Sequence, residues 1–270
     1  MLNLKTTLNA AAAITLALLI SSCSTDNETE VLEEQNLTTA SRDSNFSPWD
    51  FRDDDEFVGD QFQADNDGNG AHNWTESQYE SQPNNNGFTV SDFIFLDGGD
   101  LILQCPNDGI RSEFRDNVNM DLDDDHKMDF YFTLENYDGE NEIIIAQIHN
   151  DHTDTERPYI TVSIEDDLIQ LKQSDDNTKG SSTTTSSSTL RYREGNDYRI
   201  TIETDNNDRS VFVRIRDESD GNTEAKETFS FNSNWNSQDG SFYWKFGAYM
   251  PDGGSENTKM RLETITITGQ

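Results

Sequence analysis

An all-β domain, a sandwich or jelly roll of antiparallel strands, is what the sequence predicts, and three observations predict it. Short runs rich in β-branched and aromatic residues recur from Phe88 to the C-terminus. Turn signals fall between them, among them Asp97-Gly98-Gly99, Asp108-Gly109, Asp138-Gly139, Asp220-Gly221 and Asp252-Gly253-Gly254. No long stretch carries an apolar stripe at helical spacing, so no helix competes for the core. Many short strands with tight turns close most readily into two packed sheets.

In chain order, strands are predicted at residues 88–95, 101–104, 109–116, 128–134, 142–149, 159–164, 168–172, 197–203, 210–216, 227–231, 241–249 and 259–268. The run S-S-T-T-T-S-S-S at 181–188 is of low complexity and is read as a mobile loop. His126, set among Asp123, Asp124 and Asp125, is read as a solvated loop residue. The length from 46 to 270 suits one large β domain rather than two ordinary ones.

The first 22 residues read as an address. Lys5 precedes an apolar core from Ala10 to Ile20, too short to span a bilayer but of the right length for a secretory signal. Ile20-Ser21-Ser22-Cys23 then resembles a bacterial lipobox, which makes Cys23 the expected site of lipidation. Ser24 resembles the outer-membrane sorting pattern, and Asp26, Glu28 and Glu30 resemble the surface-export tags of Bacteroidota lipoproteins. Residues 23–45 are polar, acidic and without period, and are read as a flexible tether. The expected location is the outer membrane, surface-exposed, with membrane contact through the lipid alone.

With Cys23 acylated, Cys105 is the one cysteine left, so no intrachain disulfide is available. Gln104 and Pro106 offer it no base, and a buried structural thiol is the reading. A net charge of −34 excludes nucleic acid as a partner, because a phosphate backbone demands basic surface. A locally cationic site remains compatible with that total, since salt screens distant charges.

Three predicted strands concentrate reactive side chains at two-residue spacing, which places them on one face. They are Arg111, Glu113 and Arg115 in G-I-R-S-E-F-R-D; Gln147 and His149 in I-I-A-Q-I-H-N; and Tyr243, Lys245, Gly247 and Tyr249 in F-Y-W-K-F-G-A-Y-M. Any half-solvated strand is polar on one side, and each segment alone would be ordinary. Together they gather two arginines, a lysine, a glutamine, a histidine and tyrosines in a chain crowded with carboxylates. A binding face for a polyanion needs that composition.

These segments resemble the three signature motifs of the alginate lyases of polysaccharide lyase family 7: R-[ST]-E-L-R, Q-[IV]-H and Y-F-K-A-G-x-Y. The chain has R-S-E-F-R at 111–115, Q-I-H at 147–149 and Y-W-K-F-G-A-Y at 243–249, in the family's order. Phe114, Trp244 and Phe246 depart from the family's usual residues, and the segment before Phe88 lacks its usual N-terminal strand pattern. The resemblance implies a β-jelly roll of two antiparallel sheets and a lyase acting on a 4-linked uronate polymer, alginate first, with glucuronan or ulvan as alternatives. It implies Arg111, Gln147, His149 and Tyr249 as catalytic residues, with Glu113, Arg115, Tyr243 and Lys245 lining the substrate groove. No cofactor is required, and the enzyme is expected to be a monomer.

The chemistry of those groups suits an elimination. The proton on C5 of a uronate lies beside a carboxylate whose charge makes it a poor acid. Arg111 and the Gln147 amide can offset that charge as an enolate develops. His149 can accept a proton near neutral pH, Tyr249 can donate one to the departing oxygen, and by resemblance Tyr249 can serve as base as well. A non-catalytic carbohydrate-binding lipoprotein is the competing reading, but it has no need of a histidine and a tyrosine beside arginine and glutamine. A glycoside hydrolase would use paired carboxylates, and no such pair stands out at strand spacing. His152 lies just past the Q-I-H strand and is a weaker candidate.

One motif stands apart. D-N-D-G-N-G-A-H-N-W-T-E at 65–76 fits the EF-hand loop formula, with Asp65, Asp67, Asn69 and Glu76 as oxygen ligands of a structural Ca²⁺. His72 stands where such a loop has an aliphatic residue, and a plain acidic loop fits the same residues.

Overall fold

The computed structural model describes residues 61–66, 72–75, 77 and 90–269, except 106–108, 117–118, 138, 151–156, 179–181, 187, 222, 239 and 254–256. The described strands are β1 (Gln61–Asn66), β2 (His72–Trp74), β3 (Ile94–Asp97), β4 (Asp100–Cys105), β5 (Gly109–Arg115), β6 (Lys127–Glu135), β7 (Ile143–Asn150), β8 (Ile160–Glu165), β9 (Leu168–Ser174), β10 (Thr183–Thr185), β11 (Tyr198–Asp205), β12 (Ser210–Asp217), β13 (Glu224–Ser230), β14 (Phe242–Tyr249) and β15 (Thr258–Thr268). Two short 3-10 turns, Val90–Asp92 and Ser233–Gln238, accompany them.

The strands form two antiparallel sheets. An eight-stranded sheet runs β10-β9-β8-β7-β14-β5-β1-β2, and a seven-stranded sheet runs β13-β12-β11-β6-β15-β4-β3. This is the all-β jelly-roll sandwich that the strand and turn pattern predicts.

Alternation fixes the inner faces. Met128, Phe130, Phe132 and Leu134 of β6 are fully buried, and so are Trp244, Phe246 and Ala248 of β14, with the polar residues between them on the opposite side. The Phe130 and Phe246 rings meet at 5.9 Å and join the two sheets, while Phe114 stacks on Phe246 at 5.4 Å. A large aromatic truncated here costs roughly 3–5 kcal/mol, as core Phe→Ala changes do. Burying one face of β5 and β14 therefore fixes which side chains the other face presents. A one-residue slip would exchange the two sets.

Several expectations change in the structure. Residues 183–185, read as loop, form the edge strand β10, whose Thr183–Thr185 pair with Ser174, Gln173 and Lys172 of β9. Threonine is β-branched, and an edge strand tolerates an exposed polar run that a central strand would not. The region before Phe88 contains β1 and β2. Phe62 and Trp74 stack at 6.0 Å and Phe62 packs on Phe114 at 5.7 Å, so two aromatics set this hairpin where the local pattern looked acidic and unstructured. His126 is only 6% exposed, because its N–H donates to Thr204 Oγ1 at 2.8 Å and draws it against β11. Cys105 is fully buried, its thiol donating to the Ala248 carbonyl at 3.1 Å, and burial pushes its pKa far up. It has no thiolate to offer as a nucleophile.

Cys23, the signal segment, the tether, His152, Asp67, Asn69 and Glu76 lie outside the described residues, as does the Asp65 side chain. Among the described residues no group of three or more His, Cys, Asp or Glu is placed to hold a metal ion.

Candidate active site

The three polar segments become three adjacent strands. In the eight-stranded sheet β14 lies between β7 and β5, although β5 and β14 are more than a hundred residues apart in sequence. Tyr249 stands opposite Arg111, Gly247 opposite Glu113 and Lys245 opposite Arg115. On the other flank Tyr243 stands opposite His149 and Lys245 opposite Gln147.

Glu113 is the hub of this face. It is 1% exposed, and its two carboxylate oxygens accept from different partners: Oε1 from Gln147 Nε2 at 2.6 Å and Oε2 from Lys245 Nζ at 2.6 Å. Arg111 Nε lies 3.5 Å from the same Oε2. A buried carboxylate is tolerated only when paired in this way, and a buried ammonium likewise. Lys245 is 2% exposed; burial lowers its pKa to about 8, against the opposing pull of Glu113. At neutral pH it still carries its proton.

Stacking holds the next layer. The Arg111 guanidinium lies 4.2 Å over the Tyr249 ring and that of Arg115 lies 4.2 Å over the Tyr243 ring. Tyr243 in turn stacks on His149 with ring centres 5.4 Å apart, and its hydroxyl is 3.1 Å from His149 Nδ1. Burial, then the nearby Lys245 charge, lowers the His149 pKa to about 4, so the imidazole is neutral at neutral pH.

Gly247 is required at the centre of the site. Its φ of +143° is one that side-chain-bearing residues rarely adopt. A Cβ here would overlap the Ser112 carbonyl oxygen and come within 2.7 Å of Glu113 Cα. The β14–β7 register also shifts between Phe246 and Tyr249. Glycine lets β14 press against β5 where Glu113 sits, and the irregularity turns Tyr249 onto Arg111.

The eight residues singled out in the sequence therefore form one continuous set of contacts and strand pairings: Tyr249 on Arg111, Arg111 beside Glu113, Glu113 with Gln147 and Lys245, then His149 with Tyr243 and Tyr243 under Arg115. The structure brings Tyr249 to Arg111 and His149 to Tyr243, two pairings that spacing along each strand does not disclose. It also adds the Asn150 amide, whose N–H donates to His149 Nδ1 at 2.8 Å. A backbone donor leaves no mark in side-chain spacing.

A jelly roll bearing a cationic, partly buried cluster on the outer face of one sheet is the frame of a polysaccharide lyase, and comparison with known proteins gives the family. A family model described as alginate lyase matches residues 69–268, most of the chain, and the chain belongs to that family. Among solved structures, it is similar to an alginate lyase of polysaccharide lyase family 7, with a TM-score of 0.63 and 14% identity over 83% of this chain and 99% of that one. A structure of the same lyase in complex with a product oligosaccharide gives a TM-score of 0.61 at 14% identity, over 83% and 99% of the two chains. An alginate lyase from Pseudomonas aeruginosa aligns with a TM-score of 0.59 and 15% identity over 78% of this chain and 98% of that one. The marine family 7 lyase from Zobellia galactanivorans gives 0.54 and 14%, over 83% and 100%. No curated protein matches the chain.

Proposed function

We propose that this polysaccharide lyase cleaves alginate by β-elimination on the outer face of β5, β14 and β7. The observation that carries the proposal is the sharing of one carboxylate. Glu113 serves Lys245, Gln147 and Arg111 together, which gathers two cations and an amide donor around one buried acid. A uronate carboxylate is a ligand that such a donor set can take.

In the elimination a base takes the C5 proton, the C5–H electron pair becomes the C4=C5 double bond, the C4–O4 bond breaks and O4 takes a proton. Arg111 and the second N–H of the Gln147 amide offset charge on the substrate carboxylate as the enolate-like state forms. Tyr249 protonates the leaving oxygen. Glu113 and Lys245 fix Gln147 and Arg111 through their shared ion pair, and Tyr243 fixes His149 by stacking on it. Arg115, half-buried over Tyr243, supplies further positive charge.

The direct test is incubation of the purified protein with alginate, glucuronan and ulvan while following the absorbance of unsaturated uronate ends. Absorbance rising with alginate supports the proposal. A rise with another uronate alone reassigns the substrate, and none with any of them ends the elimination reading. We also propose that Cys23 carries the lipid anchor. Cys23→Ser should release the protein from membranes, and a variant that still fractionates there as a mature lipoprotein refutes the anchor.

A further inference from the structure

The sequence leaves two candidates for the base, His149 and Tyr249. The surroundings of the His149 ring choose between them, an inference that rests on the lyase reading above.

Imidazole can accept a proton only at a nitrogen that presents a lone pair, and in the neutral ring the other nitrogen carries hydrogen. The Asn150 backbone N–H points at His149 Nδ1 from 2.8 Å. The peptide plane fixes that hydrogen, so Nδ1 cannot also carry one. The Asn150 carbonyl lies 3.1 Å from Nδ1 and would favour a proton there. It cannot prevail while the amide hydrogen occupies the lone pair. With Nδ1 bare, the Tyr243 hydroxyl, 3.1 Å from it, is a second donor that shares this lone pair with the amide. Arg115 stacked over the Tyr243 ring at 4.2 Å holds that ring in place. Nε2 makes no hydrogen bond among the described residues and is the ring nitrogen left to meet a ligand.

We propose that Tyr243 and the Asn150 amide lock His149 in the Nε2–H tautomer, so that His149 meets substrate as a hydrogen-bond donor and not as the base. Tyr243 is then a positioning residue acting through His149. Burial and the nearby Lys245 charge keep the imidazole neutral, so only one of its nitrogens carries hydrogen.

Two measurements decide it. Long-range proton–nitrogen correlation on the ¹⁵N-labelled full chain at pH 7 reads the tautomer without any substrate. A protonated Nε2 with a bare Nδ1 is expected, and Tyr243→Phe should raise the Nδ1–H population. A wild-type ring protonated on Nδ1, or on both nitrogens, overturns the proposal, whatever the enzyme cleaves. The second measurement is turnover on alginate. His149→Gln places an amide N–H near the Nε2 position but supplies no base. It should stay within about tenfold of wild type, while His149→Ala falls by roughly a hundredfold. Equal losses in the two variants would show that basicity, not donation, is what His149 provides. Loss of the lyase reading alone would leave the nitrogen spectrum as predicted.

Discussion

The two sheets use the same side chains to opposite ends. On the outer side of the seven-stranded sheet Arg199 and Arg261 are each held by carboxylates. Arg199 makes a two-pronged pair with Asp129 at 2.9 and 3.0 Å, and Arg261 reaches Glu135, Asp100 and Asp97 at 2.8, 2.9 and 3.0 Å. Strands β6, β11 and β15 carry four Lys or Arg and five Asp or Glu, a balance of 4 − 5 = −1. Strands β5, β7 and β14 carry three cations and one acid, a balance of 3 − 1 = +2, inside a chain of net charge −34. The Arg261 cluster ties β15, β6, β4 and β3 together within partial reach of water. The Glu113 cluster is buried and gathers several donors on one acid, which suits it to a ligand that brings its own carboxylate. Where the ions lie, and how many donors share one acid, separates a strut from a site.

The sharpest way to break this comparison is to remove one acid from each sheet. Glu113→Ala strands a buried ammonium at Lys245 and should destabilise the protein by roughly 3–5 kcal/mol, read from urea midpoints. Asp129→Ala leaves an Arg199 that can turn to water, and should cost about 1 kcal/mol. Similar losses at the two sites would dissolve the distinction. Replacing the pair together, Glu113→Gln with Lys245→Met, should recover part of the stability while activity stays lost.

Tyr249→Phe tests the site from the catalytic side. It keeps the ring under Arg111 and removes the hydroxyl, so turnover should fall roughly a hundredfold or more with the melting curve unmoved. Arg199→Ala on the other sheet should leave turnover unchanged. Gly247→Ala should cost on the order of 1–3 kcal/mol from the forced backbone alone, and should reduce turnover because Glu113 must shift. A wild-type-like Gly247→Ala protein would show that β14 need not approach β5 so closely.

Acidity gives a smaller effect with a definite sign. The His149 pKa is lowered from 6.5 to about 4 in the folded protein. An unfolded chain therefore binds a proton there between those values when the native site does not, and stability falls as pH drops from about 6.5 towards 4. Above 6.5 this group contributes no pH dependence. An NMR titration that places His149 near its ordinary value would contradict the crowded setting described for it. The smallest effect expected concerns the stretch from Asp65 to Glu76, which we propose binds Ca²⁺. Added Ca²⁺ should raise the melting temperature, and Asp65→Ala with Asp67→Ala should abolish the rise. Identical curves with Ca²⁺ and with chelator dismiss that site.

Much of this was legible in the chain. The strand periods of β6, β7, β11, β12 and β14 follow from local alternation, because each strand must bury one face whatever it pairs with. Two-residue spacing likewise puts Arg111 with Glu113, and Gln147 with His149, on common faces. The hairpin of β1 and β2 was not legible, because Phe62 and Trp74 are embedded in acidic and amide residues and find their partner Phe114 only across the sheet. Nor was β10, whose threonines are a strand only because β9 offers an open edge.

The sequence by itself determined the fold class, the faces of the central strands and the chemical types available for catalysis. Each of these depends on neighbours within a few residues. Tertiary structure decided that β14 would lie between β5 and β7, so that Glu113 joins Lys245 and Gln147, and that Tyr243 and a backbone amide would converge on one nitrogen of His149. Apart from the Asn150 amide, which belongs to the next residue, those contacts join residues about thirty to more than a hundred positions apart. Such loops close only when the whole core pays their entropy at once, and no local pattern records which partners then meet.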